Sequence, residues 1–171
     1  MAEPIQAAKV TGLTACGSRS KSRIDEYPGA FEENRHRVYS LAFYMTDNEL
    51  AAEELAVNTF CRAFAFSHNP DVESVDRALI TELRELMPLG TLSLRSVPFS
   101  PDGFARRAKR VEMERAVVQL PPTERLIFLL HDVERYEYVR IAGLLGLSER
   151  ECAHGLHQAR LRVRQLLACT R

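Results

Sequence analysis

The chain has 171 residues, 46% of them hydrophobic, which is enough for one medium core or two small ones. The formal charge is zero but unevenly spread: Phe104–Arg171 carries 13 Lys or Arg against 8 Asp or Glu, and Phe31–Glu85 carries 5 against 11, so the C-terminal half suits a phosphate partner and the middle does not. No apolar run approaches the roughly 20 residues of a membrane span, no apolar core of a signal peptide opens the chain, and Cys16, Cys61, Cys152 and Cys169 form no C-x-x-C pair; a cytoplasmic protein with no membrane partner, disulfide framework or zinc cluster is expected.

Residues 1–27 lack a sustained apolar period and contain the polar run GSRSKSR, so a mobile tail is expected there. Pro28 opens a helix on which Phe31, Val38, Leu41, Ala42 and Met45 share a face. Thr46-Asp47-Asn48 stops it and supplies a new N-cap. The next helix runs to Phe66, with Ala52, Leu55, Thr59, Phe60 and Ala63 inward and Glu53, Glu54, Asn58 and Arg62 outward. Cys61 reads as a small buried hydrophobe. A third helix follows through Val75, Leu79, Leu83 and Leu86. These helices make a first small domain, 28–86. The segment 87–103, MPLGTLSLRSVPFSPDG, has three prolines, two glycines and no helical period, and is expected to be a linker.

The second domain, 104–171, begins with a helix over 104–119 bearing Arg106, Arg107, Lys109 and Arg110, which either meet phosphates or keep the surface soluble, with Ala108, Val111, Val118 and Leu120 for the core. Pro121 and Pro122 open another helix, since the first-turn N–H groups have no intrahelical partner to lose; Leu126, Leu129, Leu130 and Val133 share its face. Tyr138, Ile141, Ala142 and Leu145 define a short helix that Gly146 closes with a positive φ. Ser148 and Glu151 form a capping box for the last helix, with Leu147 and Cys152 placed as a hydrophobic staple. Cys152, Leu156, Ala159, Val163 and Leu166 keep one face of that helix apolar, while Arg150, His157, Arg160 and Arg164 leave the other basic. A short helix, a tight turn and a basic amphipathic helix can lay the last helix in a DNA major groove. The same geometry is also an ordinary way to pack three helices. The fold class is all-α: two small helical domains, the second a helix-turn-helix.

LPPTERLIFLLHDVE, YVRIAGLLGLS and LHQARLRVRQLL, in that order, closely resemble region 4 of bacterial sigma factors, particularly the extracytoplasmic-function group. FEENRHRVYSLAFYMTDNELAAEELAVNTFCRAF resembles the front of sigma region 2. The resemblance implies a transcription initiation protein whose partners are core RNA polymerase and promoter DNA, with an anti-sigma factor as a further candidate. It implies polymerase binding through outward residues of the second helix, Glu53, Glu54, Val57 and Asn58, where Val57 and Asn58 replace a Gln and a Glu typical of the family. It places DNA contacts on the last helix, at Arg150, Ala153, His154, His157, Gln158, Arg160 and Arg164.

Two departures qualify the resemblance. The family's promoter-melting segment carries Trp and Arg, whereas this chain has no Trp and its 76–85 stretch sets Arg77 and Arg84 against Asp76, Glu82 and Glu85; base capture needs stacking surfaces. The family's Thr-Val-Lys-Ser-Arg-Leu reading run is here Glu151-Cys152-Ala153-His154-Gly155-Leu156, so two basic contacts become Ala153 and Gly155, and an unusual or relaxed specificity is expected. The alternative is a sigma paralogue acting as a protein-interaction module without promoter opening. An enzyme is disfavoured: His131 beside Asp132 and the pair His154 and His157 lie in expected helices without a nucleophile or phosphate loop. No cofactor is implied, and a metal site at Cys152, His154 and His157 is disfavoured because positions 152 and 154 lie about 200° apart around a helix.

Overall fold

A computed structural model describes residues 27–93 and 109–169. The described residues form α1 (Tyr27–Thr46), α2 (Glu49–Phe66), α3 (Val72–Leu86), α4 (Arg110–Val118), α5 (Pro122–Phe128), α6 (Tyr138–Leu145) and α7 (Glu149–Cys169), without a strand among them. The expected tail 1–27, apart from Tyr27, and most of the linker fall outside the described residues, as do Arg106, Arg107 and Ala108.

Helices α1, α2 and α3 pack as one unit. Asn48 caps α2 by accepting from the Ala51 N–H at 3.0 Å, and Asp71 caps α3 by accepting from Ser74 at 2.8 Å. Val38, Leu41, Ala42 and Met45 of α1 meet Ala52, Leu55, Phe60 and Ala63 of α2 and Val75, Leu79 and Leu83 of α3, all buried. Phe31 departs from the expected inward face: it is 41% exposed, its ring edge-to-face with Phe60 at 4.8 Å. Cys61 is exposed, because position 61 falls on the solvent side of α2, opposite the buried Thr59–Phe60–Ala63 face. Arg62 is only partly outward; its guanidinium pairs with Glu82 and Glu85 and so ties α2 to α3.

The second unit packs α4, α5 and α6 against α7. Its core is Ala116, Val117, Leu120, Leu126, Ile127, Leu129, Leu130, Ile141, Leu145, Cys152, Leu156, Ala159 and Val163. Two expected core positions turn outward. Val111 is 56% exposed, since α4 starts at Arg110 and buries Ala116 and Val117 instead. Val133 is 57% exposed because α5 widens into a π turn over Leu129–Val133, with Glu134 N–H bonding to the Leu129 carbonyl at 3.0 Å. One extra residue in a turn shifts every later side chain around the axis. The helix-turn-helix follows as expected: Gly146 has φ 71° and its N–H bonds to the Ala142 carbonyl at 2.9 Å. The Ser148 N–H donates to Glu151 at 2.8 Å and the Glu151 N–H to Ser148 Oγ at 3.2 Å, a reciprocal cap for α7.

The two units are closed on each other. Arg125, from the middle of α5, donates to the Tyr44 and Met45 carbonyls at the end of α1 (3.3 and 3.0 Å). Arg84, near the end of α3, donates to the Leu144 and Leu145 carbonyls at the end of α6 (3.3 and 2.9 Å). Each unit thus caps a helix C-terminus of the other, where carbonyls without intrahelical partners and the helix dipole both favour a cation.

Candidate nucleic-acid interface and docking groove

The outer face of α7 is a stripe set by helical spacing. Arg150, Ala153, His154, His157, Arg160 and Arg164 recur at three- and four-residue intervals and are all exposed, while Cys152, Gly155, Leu156 and Ala159 are buried beneath them. The helix therefore brings together six of the seven residues expected to meet DNA. Gln158 lies to one side: it is half-buried, and its Oε1 is buried with no hydrogen-bond partner among the described residues. Arg160 is on the stripe but engaged, its guanidinium gripping Asp132 through Nε and Nη2 at 3.0 and 2.6 Å. Burial pushes the Asp132 carboxyl up, but hydrogen bonds from Arg160 and from His131 at 2.9 Å outweigh it and hold the group below its ordinary value. His131 in turn stacks on Tyr138 at 4.8 Å, so the π turn, the start of α6 and the middle of α7 are linked through polar groups.

Gly155 is not a stripped contact surface. A Cβ built there would lie 2.8 Å from Ile127 Cδ1 and 2.9 Å from Leu92 Cδ2, so the glycine admits Leu92 from the segment after α3 against the inner side of α7. The adjacent Ser93 N–H donates to the buried Glu124 carboxylate at 2.8 Å, and Arg162 donates to Ser93 Oγ at 2.9 Å. The start of the expected linker, 87–93, is therefore docked on the second unit.

On the first unit, Glu53, Glu54, Val57 and Asn58 are all exposed on α2. Glu53 and Val57 line an open groove of about 680 Å³ between α1 and α2 with Phe31, Tyr39, Phe60 and Cys61, flanked by Arg35 and His36. Val57 is 60% exposed. An apolar floor with charged rims fits a protein helix better than a phosphate backbone. The residues that sequence reasoning missed here are Phe31 and Tyr39, counted inward or passed over; an aromatic at the edge of the apolar stripe was the only available signal.

Among the described residues no group of three or more His, Cys, Asp or Glu side chains is placed to hold a metal, and no helix is long and apolar enough to cross a membrane.

Known proteins align with this geometry. Residues 110–163 match the sequence model of Sigma-70, region 4, which spans α4 to most of α7. The Positive control factor of Bacillus subtilis (strain 168) is 34% identical over 67 residues, 39% of this chain and 40% of that protein, so the match spans well under half of the relative's length. Among solved structures, the sigma factor RpoE, co-crystallised with the anti-sigma factor NepR from Bartonella quintana, shares the fold at a TM-score of 0.60, covering 82% of this chain and 96% of that one at 18% identity. The chain is thus similar to sigma factors at two levels: residues 110–163 match the sigma-70 region 4 model, and the described fold is like that of the sigma factor RpoE.

Proposed function

We propose that this protein takes part in transcription initiation, docking on core RNA polymerase through the α1–α2 groove and contacting promoter DNA through the outer face of α7. Residues 28–86 and 104–171 act as its two working domains, with 87–103 as their connection, in the cytoplasm and without catalysis of its own. The observation that carries the reading is the region 4 match over 110–163, falling on a helix-turn-helix whose last helix exposes Arg150, His154, His157 and Arg164 together. Glu53, Glu54, Val57 and Asn58 are the polymerase-facing residues, and Ala153 leaves the middle of the reading face without a base contact, giving relaxed specificity. The sigma factor with the same fold is held by an anti-sigma factor, and a partner of that kind is proposed for this chain too.

Fluorescence anisotropy on duplex DNA across a salt series tests the DNA part. Affinity should fall steeply with salt, with a log–log slope near −0.9 per neutralised phosphate. Arg150→Ala should weaken binding and reduce the slope by about one phosphate's worth. No binding at low salt, or a slope that ignores Arg150, would leave the protein-interaction alternative in possession.

A further inference from the structure

Asp76 is the most heavily partnered carboxylate between the two units. It lies in α3, is 2% exposed, and sits at the seam with α6. One oxygen takes the Arg37 guanidinium of α1; the other accepts from Arg140 Nη2 of α6 at 2.6 Å and from the Tyr136 hydroxyl at 2.8 Å. Arg37 also donates to the Tyr136 hydroxyl at 2.8 Å, and the Arg140 guanidinium lies over the Tyr136 ring, 3.8 Å from its centre. A carboxylate is buried at this depth only when paired, and removing it strands two cations.

The placement of Arg140 gives this cluster a consequence. In a helix-turn-helix the first helix crosses the DNA backbone while the second enters the groove, and Arg140 belongs to that first helix, α6. In the closed molecule the anion it meets is Asp76. The start of α3 lies alongside: Asp71, Glu73 and Arg77, the last ion-paired with Glu73, share one cleft with Glu137, Val139, Arg140 and Gly143. A duplex backbone laid across α6 would meet the Asp71 carboxylate beside the Glu73–Arg77 pair, a like-charge contact.

We propose that Asp76 is an internal latch: its carboxylate holds the two helical units closed and takes the place of a DNA phosphate on Arg140, so that DNA binding requires the units to part. The capping arginines Arg84 and Arg125 reinforce the closure from either side. The gating half of this inference rests on the DNA-binding reading above; the closure half does not. A ligand that binds only the open form pays for the closed population in apparent affinity.

The test uses the full chain with Asp76→Asn, Arg140→Gln and, as a charge-matched control away from the seam, Glu33→Gln. Circular dichroism reports folding, small-angle X-ray scattering reports closure, and duplex anisotropy reports gating. Asp76→Asn and Arg140→Gln should keep their helix content and raise the radius of gyration above that of wild type, while Glu33→Gln should not. Asp76→Asn should bind duplex DNA about tenfold more tightly than wild type or more, well beyond the control; Arg140→Gln, opened but short of a phosphate contact, should gain less. Unchanged dimensions with retained helix content overturn the latch, and open variants with unchanged affinity overturn the gating. Opening without DNA binding by any variant, wild type included, upholds the latch and overturns the DNA reading instead. Should Asp76→Asn lose its helix content, Arg140→Gln alone decides closure by the same comparison.

Discussion

The Tyr136 hydroxyl shows what one half-buried polar group contributes. Burial, then its hydrogen bond to Asp76 and the charge of that carboxylate, push its ionisation up to about 12. An unfolded tyrosine ionises near about 10. The folded value is the higher one, so the stabilisation is complete below about 10 and is lost as pH rises through about 12. An alkaline absorbance titration should therefore show one tyrosine ionising later than the others, and Tyr136→Phe should remove that late step and cost about 1 kcal/mol at neutral pH for the lost hydrogen bond. A titration in which Tyr136→Phe leaves the late step in place contradicts this assignment. The cluster was not legible in the sequence, because Arg37, Asp76 and the Tyr136–Arg140 pair come from three segments far apart in the chain. Gly155 taught the converse: compared with a family pattern it looked like a missing contact, and in the fold it is a close approach between Leu92 and α7. A substitution read against a pattern says what is absent, not what has moved in.

At the scale of elements the sequence was far more informative, because caps and glycines act locally. The Ser148–Glu151 box and the left-handed Gly146 appear where their chemistry places them. Backbone and side-chain hydrogen bonds from Ser148 hold the Glu151 carboxyl below its ordinary value. Its contribution is therefore present above the usual carboxylate range and disappears as pH falls through the depressed value. Ser148→Ala should cost the C-terminal unit about 1 kcal/mol in urea unfolding at neutral pH, and a variant as stable as wild type would count against the cap. The stretch after Leu129 was not legible in this way. Apolar spacing assumes a constant rise and turn, and the π widening breaks that assumption, which is why Val133 faces solvent.

At the scale of the molecule, the two runs of apolar period on either side of a proline- and glycine-containing stretch made two helical units readable, and the motifs of the second carried the likeness to sigma-70 region 4. Their closure was not readable. It depends on Arg84 and Arg125 reaching the helix ends of the opposite unit and on the Asp76 cluster, contacts that leave no local trace. The α1–α2 groove remains open in this closed form, with Val57 at its surface, so the proposed polymerase docking does not require the proposed parting of the units. Immobilised core bacterial RNA polymerase, washed at low ionic strength, should retain the full chain, and Val57→Asp should reduce that retention without loss of helix content. The retained complex should then initiate from a pool of genomic promoters. Failure of the folded wild-type chain to associate with core polymerase at low salt would contradict the proposed place in transcription initiation.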